Sequence, residues 1–275
     1  MKISLVLLNY HSAADCIKSA KKFINANNLS NDTFNVYIVN NGDSDSGSNL
    51  LKEYSNENGF VSYIESDNSG YAKGNNLGIR EAKLNGSTLA LVANPDVSFS
   101  LEHTLKAIEM MKVELASDVA CYAIEVEGLK QYSGYPSMLS ILFPYWRRKK
   151  DHMRNLVPGQ RIYRFHGCFF GVNLNCKFSD KAFFDEGTFL YFEEDIVALE
   201  LEQRGLQVIH IPCQQVFHEG SAIVNAKIPF KKYKFQFESL KYLLQKHYKM
   251  GGKLSYVSAM CSMVVRFAVD LLKRG

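Results

Sequence analysis

Four apolar runs in the first hundred residues, each ended by turn-forming polar residues, constrain this chain most. They are residues 3–8 (ISLVLL), 34–39 (FNVYIV), 60–65 (FVSYIE) and 87–93 (STLALVA). Short runs with little polar alternation suit strands buried on both faces, as in parallel sheets covered by helices. Between them, Ser12 to Ala26, Leu50 to Asn58 and Tyr71 to Leu84 read as helices, the first with Ser12 as N-cap. This alternation predicts an α/β fold with a mostly parallel central sheet flanked by helices. Sheets of that kind bind ligands beyond the carboxyl ends of their strands. Those ends are Asn9-Tyr10-His11, Asn40 to Asp45, Asp67-Asn68 and Asn94 to Asp96, and all but the first carry a carboxylate.

Composition narrows the class. A hydrophobic share of 47% in 275 residues supplies a sizeable core, and 22% charged residues is ordinary for a globular chain. The formal charge of +4 is too mild to indicate nucleic acid as a partner. Cys16, Cys121, Cys168, Cys176, Cys213 and Cys261 form no C-x-x-C pair, so free thiols in a reducing compartment are expected. The opening MKISLVLLNYH is interrupted too early for a signal peptide and reads as the first strand. No stretch of about 20 residues is free of charge, so no clear membrane-spanning helix is expected.

Further along, RIYRFHGCFFGVN reads as a strand, FFDEGTFLYFEEDIVALELEQRG turns helical near Glu193, and LQVIHI and QQVFH read as short strands. From Lys227 to Lys249 the chain is rich in Lys and aromatics, with Glu238 its only acid. Phosphate-loop, G-x-G-x-x-G, H-E-x-x-H and G-x-S-x-G signatures are all missing, which argues against an ATPase, a dinucleotide oxidoreductase, a zinc protease and a serine hydrolase.

The motifs LVLLNYHS, VNNGDSD, NSGYAKGNNLGI, ANPDV, HGCFFGV, FDEGTFLYFEED and VFHEGSA stand in this order over residues 2–221. The set resembles the family 2 glycosyltransferases, and within them the rhamnosyltransferase-like branch of bacterial surface-polysaccharide biosynthesis. KFQFESLKYLLQKHY is similar to that branch's C-terminal region. The resemblance implies a GT-A fold, a nucleotide-diphospho-sugar donor, inversion at the anomeric centre and a Mg²⁺ or Mn²⁺ cofactor. It further implies a catalytic domain over residues 1–225, with a nucleotide-sugar half to about residue 100 and an acceptor half beyond it. A basic, amphipathic helical extension follows over 226–275. The implied donor is dTDP-rhamnose, with a UDP-hexose as competitor. The implied acceptor is a polyprenyl-diphosphate-linked oligosaccharide of O-antigen or capsule assembly.

An inverting transfer needs a carboxylate to take the acceptor hydroxyl proton, and a hard cation to neutralise the departing diphosphate. Asp96, in Asn94-Pro95-Asp96, stands where the family carries its D-x-D-like metal motif. His218 matches a histidine that some members place near the metal. Asp43 and Asp45 fall where members recognise base and ribose, and Asn40 replaces the usual Asp. Asn9 ends the first strand of the donor crevice, while Asn68, Gly70, Asn75 and Asn76 belong to a loop and helix start that would approach the donor. Glu193-Glu194-Asp195 is the candidate base motif: Glu194 falls on the family's base position, and a one-residue adjustment would give the role to Asp195. Acids in a helix's first turn also favour the macrodipole.

Two segments suggest a membrane surface. FPYWRRKK (143–150) joins aromatics to four cations, and Leu254 to Leu272 is an apolar helix with a narrow stripe of Ser255, Ser258, Ser262, Arg266 and Asp270. The expected location is cytoplasmic and peripheral to the membrane, and packing of that helix on protein, including a homo-oligomer, is the alternative. The competing functions are a nucleotidyltransferase, which lacks its glycine-rich loop here, and a non-catalytic glycosyltransferase-like binding subunit.

Overall fold

The computed structural model describes residues 1–116, 118–129, 134–143, 156–176, 182–218 and 229–272. Its strands are β1 (Lys2–Asn9), β2 (Thr33–Asn41), β3 (Val61–Ser66), β4 (Leu89–Ala93), β5 (Val97–Phe99), β6 (Val119–Ile124), β7 (Arg161–Ile162), β8 (Phe169–Asn173), β9 (Gln207–Ile211) and β10 (Val216–His218). Its α-helices are α1 (Ala13–Ile24), α2 (Asp45–Glu57), α3 (Tyr71–Leu84), α4 (Leu101–Val113), α5 (Met138–Leu142), α6 (Glu193–Gln203), α7 (Pro229–Lys246) and α8 (Gly252–Leu272).

Eight strands form one sheet in the order β3-β2-β1-β4-β8-β6-β9-β7. The first four are mutually parallel, β8 runs against both of its neighbours, and β6 and β9 are again parallel. The expected α/β fold is therefore found. The chain moves from β1 to β2 and β3 on one side, then returns to place β4 on the other. That reversal opens a crevice beyond the carboxyl ends of β1 and β4. Helix α3 lies so close to β1 that a Cβ on Gly74 would sit 2.3 Å from Leu8 Cδ1. Any larger residue there would have to displace the Leu8 side chain.

Two elements differ from the sequence reading. Helix α2 begins at Asp45 rather than Leu50, because Ser44 caps it: the Ser44 hydroxyl accepts the Gly47 N–H at 3.3 Å. Residues that look like turn formers are thus its first turn. RIYRFHGCFFGVN is two strands, not one. Strand β7 closes the far edge of the sheet against β9, whereas β8 lies in the middle, so residues 163–168 must cross from edge to centre.

Helices α7 and α8 pack as an antiparallel pair, with Phe237 edge-on to Tyr256 and Tyr233 edge-on to Phe267. Their shared core with α5 and α6 includes Ile141, Phe192, Ile196, Leu240, Leu244 and Ala259. Helix α8 is turned the opposite way from an ordinary surface helix. Ser255 and Ser262 are buried, while Leu254, Val257, Val264 and Phe267 are about half exposed or more. By length and composition, Gly252–Leu271 also qualifies as a helix able to cross a membrane, a feature the sequence reading did not anticipate.

Asn76 of α3 ties a distant segment to the sheet layer. Its Nδ2 donates to the Phe184 carbonyl at 2.8 Å and to Glu186 Oε1 at 3.0 Å, and its Oδ1 accepts the Phe184 N–H at 2.9 Å. Asn76→Ala would leave a buried peptide unit unpaired, with an expected loss of about 2–4 kcal/mol in urea denaturation. A loss under about 0.5 kcal/mol would show that the tie is dispensable.

Candidate active site

The ends of β1 and β2 form the first wall. Asn9 is fully buried; its Nδ2 donates to Asn40 Oδ1 at 2.9 Å and to Asp43 Oδ2 at 2.8 Å, and its Oδ1 accepts the Ser12 N–H at 3.0 Å. Asp43 also accepts the Ser44 N–H at 2.7 Å and pairs with His11 Nδ1 at 2.9 Å. Burial pushes the Asp43 carboxyl up, but the hydrogen bonds from Asn9, Ser44 and His11 outweigh it and hold the group below its ordinary value. Asn40 Nδ2 lies 2.7 Å from Ser48 Oγ, 3.0 Å from Tyr63 Oη and 3.0 Å from Glu65 Oε1. Asp45 and Asn68 are exposed nearby. Asn75 donates to its own helix, at the Tyr71 carbonyl. Gly70, at φ 101°, has no room for a Cβ: the Phe189 carbonyl oxygen would be 2.5 Å away.

The second wall comes from β4. Asp96 follows it directly, and β5 pairs antiparallel with β10 so that Val97 lies opposite His218. This register brings His218 Nε2 to 3.3 Å from Asp96 Oδ1. Yet Nε2 is buried without a hydrogen-bond partner among the described residues, so the two atoms approach without the alignment of a bond. Two ligand atoms that converge without satisfying each other suit a shared cation. A carboxylate oxygen and an imidazole, completed by phosphate oxygens, fit Mn²⁺ or Mg²⁺.

The third wall is the start of α6. Glu193 and Asp195 are buried. Asp195 is paired with the Arg164 guanidinium at 3.1 Å. Glu194 Oε1 accepts the Gly167 N–H at 3.1 Å, and the Gly167 carbonyl accepts the Tyr71 hydroxyl at 2.5 Å. Glu193 Oε1 is buried with no partner among the described residues. Burial, then the neighbouring Glu194 charge, pushes Glu193 from its ordinary 4.5 up to about 8. Burial also raises Glu194, against the pull of Arg164. Both carboxyls are thus pushed up, and Glu193 keeps its proton at neutral pH. Cys168, pushed up to about 12 by burial, stays a thiol rather than a nucleophile.

A cavity of about 500 Å³ joins the second and third walls; Asn94, Cys168, Arg164, Glu193, Glu194, Asp195 and His218 line it, with Gln236 of α7 and Arg266 of α8. The candidate residues Asp96, His218, Glu193, Glu194 and Asp195 thus belong to one region, with Asn9, Asn40 and Asp43 at the adjoining strand ends. Asn75 and Asn76 face structural partners instead. Tyr145, Trp146, the 147–150 basic run and Glu219 lie outside the described residues. Arg164 and Gly167 carry no sequence signal of their roles, because nothing local to RIYRFHG marks partners about thirty residues away.

A second acidic group, Asp185 with Glu200 and His247, brings ligand atoms within 4.8 Å of one another. Lys246 forms an ion pair with Asp185 there and lies 3.8 Å from Glu200, supplying the positive charge itself.

The model of glycosyl transferase family 2 matches residues 6–175, more than half of the chain, and ends before the acidic triplet. A search of curated proteins finds no match. Among solved structures, the chain is similar to the mannosyltransferase PcManGT from Pyrobaculum calidifontis, in complex with GDP-Man and Mn²⁺. The identity is 12%, the TM-score 0.56, and the match covers 99% of this chain and 79% of that one. TarS 1–349 from S. aureus in complex with UDP gives 14%, 0.51, 93% and 68%. GalNAc-T7 with UDP, GalNAc and Mn²⁺ gives 13%, 0.57, 79% and 44%. At these identities the likeness concerns the fold.

The raised Glu193 carboxyl has a sign. From its unfolded value near 4.5 up to about 8, the folded protein holds a proton that the unfolded chain releases, so stability falls as pH rises through that window. Glu193→Gln should remove this slope. In urea denaturation, the variant should gain on wild type between pH 5 and pH 8; parallel profiles would mean that the carboxyl titrates normally.

Proposed function

The chain belongs to glycosyl transferase family 2, and from that premise we propose that it is an inverting, metal-dependent transferase acting on a nucleotide-diphospho-sugar. The observation that carries this reading is the single cavity lined both by the carboxyls of α6 and by His218, which stands against Asp96. Asp96 and His218 would hold Mn²⁺ or Mg²⁺ with the donor diphosphate, and the bound ion supplies charge neutralisation for the leaving group. Asp43, fixed as a carboxylate, accepts hydrogen bonds from the donor's ribose hydroxyls, with Asn9 and Asn40 holding it and the adjoining strand end in place. Glu194 takes the acceptor hydroxyl proton while that oxygen bonds to the anomeric carbon, and the bond to the diphosphate oxygen breaks on the opposite face. Glu193, neutral beside it, spares the site a second buried charge. Arg164 keeps Asp195 paired, which favours Glu194 over Asp195 as the base.

For the donor, the motif resemblance supports dTDP-rhamnose, with a UDP-hexose as competitor. For the acceptor, a polyprenyl-diphosphate-linked oligosaccharide of O-antigen or capsule assembly fits a cytoplasmic enzyme lying on the membrane. Its support in the fold is the outward apolar face of α8.

Turnover should be measured as donor hydrolysis across dTDP-rhamnose, UDP-hexoses and GDP-mannose, with and without Mn²⁺ or Mg²⁺. One donor should respond to metal, and Asp96→Ala should abolish that response. Glu194→Gln should lower kcat by about 10²–10⁴-fold with donor binding retained. Activity should rise with pH above the ordinary carboxylate range, since the raised Glu194 must lose its proton. Metal-dependent donor binding without turnover, with acceptor lipids present, would instead mark a non-catalytic binding subunit.

The membrane reading has its own check. The triple variant Leu254→Glu, Val257→Glu, Val264→Glu should reduce sedimentation with phosphatidylglycerol vesicles about tenfold. Unchanged sedimentation, with a smaller particle by light scattering, would assign the face to a second copy of the chain.

A further inference from the structure

The segment that delivers the candidate base is held in an unfavourable backbone conformation. Tyr191 and Phe192, directly before Glu193, both adopt positive φ, 78° and 70°. Neither is glycine, and such a conformation costs on the order of 1–2 kcal/mol per residue. It persists only where the surroundings over-determine it.

The surroundings are one face of α7. Phe235, Ser239, Tyr242 and Lys246 are spaced by four, three and four residues, a single helical stripe. Each meets the segment from Asp185 to Phe189 or Leu190. Phe235 stacks on Phe189 at 4.7 Å between centroids. The Ser239 hydroxyl donates to the Leu190 carbonyl at 2.9 Å. The Tyr242 hydroxyl donates to Asp185, 2.9 Å from Oδ1 and 3.1 Å from Oδ2. Lys246 pairs with the same carboxylate, which also accepts the Gly187 N–H at 2.9 Å. From the opposite side, the Phe189 carbonyl accepts the Tyr71 N–H at 2.9 Å. The segment is therefore gripped between α3 and α7, with Phe192 packed into the core of the helical pair.

We propose that this face of α7 is a positioning device for the catalytic carboxyls: Ser239 and Tyr242 hold residues 185–190 so that the left-handed turn at Tyr191 and Phe192 aims Glu193 and Glu194 into the cavity. The catalytic half of the proposal rests on reading Glu194 as the base. The C-terminal helices thereby belong to the reaction machinery as well as to any docking surface.

The test uses Ser239→Ala/Tyr242→Phe, which removes the hydroxyl bonds and keeps the tyrosine ring against Gly187. Donor hydrolysis, with the donor selected above, should show kcat lowered about tenfold or more and donor KM within about twofold of wild type. A substrate-free arm reads the grip itself. If the segment loosens, water reaches Glu193, its carboxyl relaxes towards its ordinary value, and the stability lost between pH 5 and pH 8 shrinks. His247 lies 3.7 Å from Asp185, the carboxylate that the variant deprives of its Tyr242 bond. The shrinkage must therefore disappear in a Glu193→Gln background. Equal destabilisation at both pH values overturns the proposal, and so does wild-type kcat in the double variant while Glu194→Gln is inactive. Full turnover by Glu194→Gln overturns the base assignment instead, and the pH arm then decides alone whether the face holds the segment.

Discussion

Two adjacent carboxyls buried at the start of α6 set the terms for the rest of the site. An isolated buried carboxylate is among the most costly groups a protein can hold, and two in sequence cannot both ionise without compensation. Each neighbour answers that problem. Glu193 keeps its proton, the Gly167 N–H binds Glu194, Arg164 neutralises Asp195, and the helix N-terminus favours whatever negative charge remains. Gly167 belongs to the crossing between β7 and β8. The hairpin of α7 and α8 encloses Phe192, the residue directly before the two carboxyls.

At the ends of β1 and β2, the asparagine at position 40 is consistent with its surroundings. Its Nδ2 lies 3.0 Å from Glu65 Oε1, and Glu65 is further bound by the Tyr63 hydroxyl at 2.6 Å and Lys52 at 2.9 Å. An aspartate at 40 would add a third carboxylate between Glu65 and Asp43. The amide gives the reverse: it donates towards Glu65 while its oxygen accepts from Asn9. The departure from the usual residue is thus coupled to the glutamate at the end of β3.

How much could be read in advance follows from the range of the interactions. The strands and the bounds of Tyr71–Leu84 were legible because apolar runs and helical periodicity are local signals, although β3 proves to be a partly exposed edge strand. The helical start at Glu193 was legible for the same reason. Asp96 and His218, more than a hundred residues apart, were both assigned to the metal by the resemblance alone, and the β5–β10 register is what joins them. Two features were not legible. Ser44 capping moved α2 five residues upstream, since Asp, Ser and Gly serve both loops and first turns. Arg164 reaches Asp195 only after the chain crosses from the sheet edge to its centre.

Helix α8 shows why a pattern alone can be read the wrong way round. Its polar stripe was visible, and a stripe of that kind ordinarily faces water. Here the last carbonyls of the short helix α5 take their donors from α8. Ser262 donates to the Leu142 carbonyl at 2.8 Å, and Arg266 donates to the Ile141 carbonyl at 2.9 Å. Asp270 accepts the Tyr233 hydroxyl at 2.8 Å, locking the far end of the helix to α7. With the polar stripe committed inward, Leu254, Val257 and Val264 have nowhere to point but outward. The same bonds that hold α5 against the hairpin, and so close the core around Phe192, create the exposed apolar face. The support of the α6 carboxyls and the outer surface are two sides of one pair of helices.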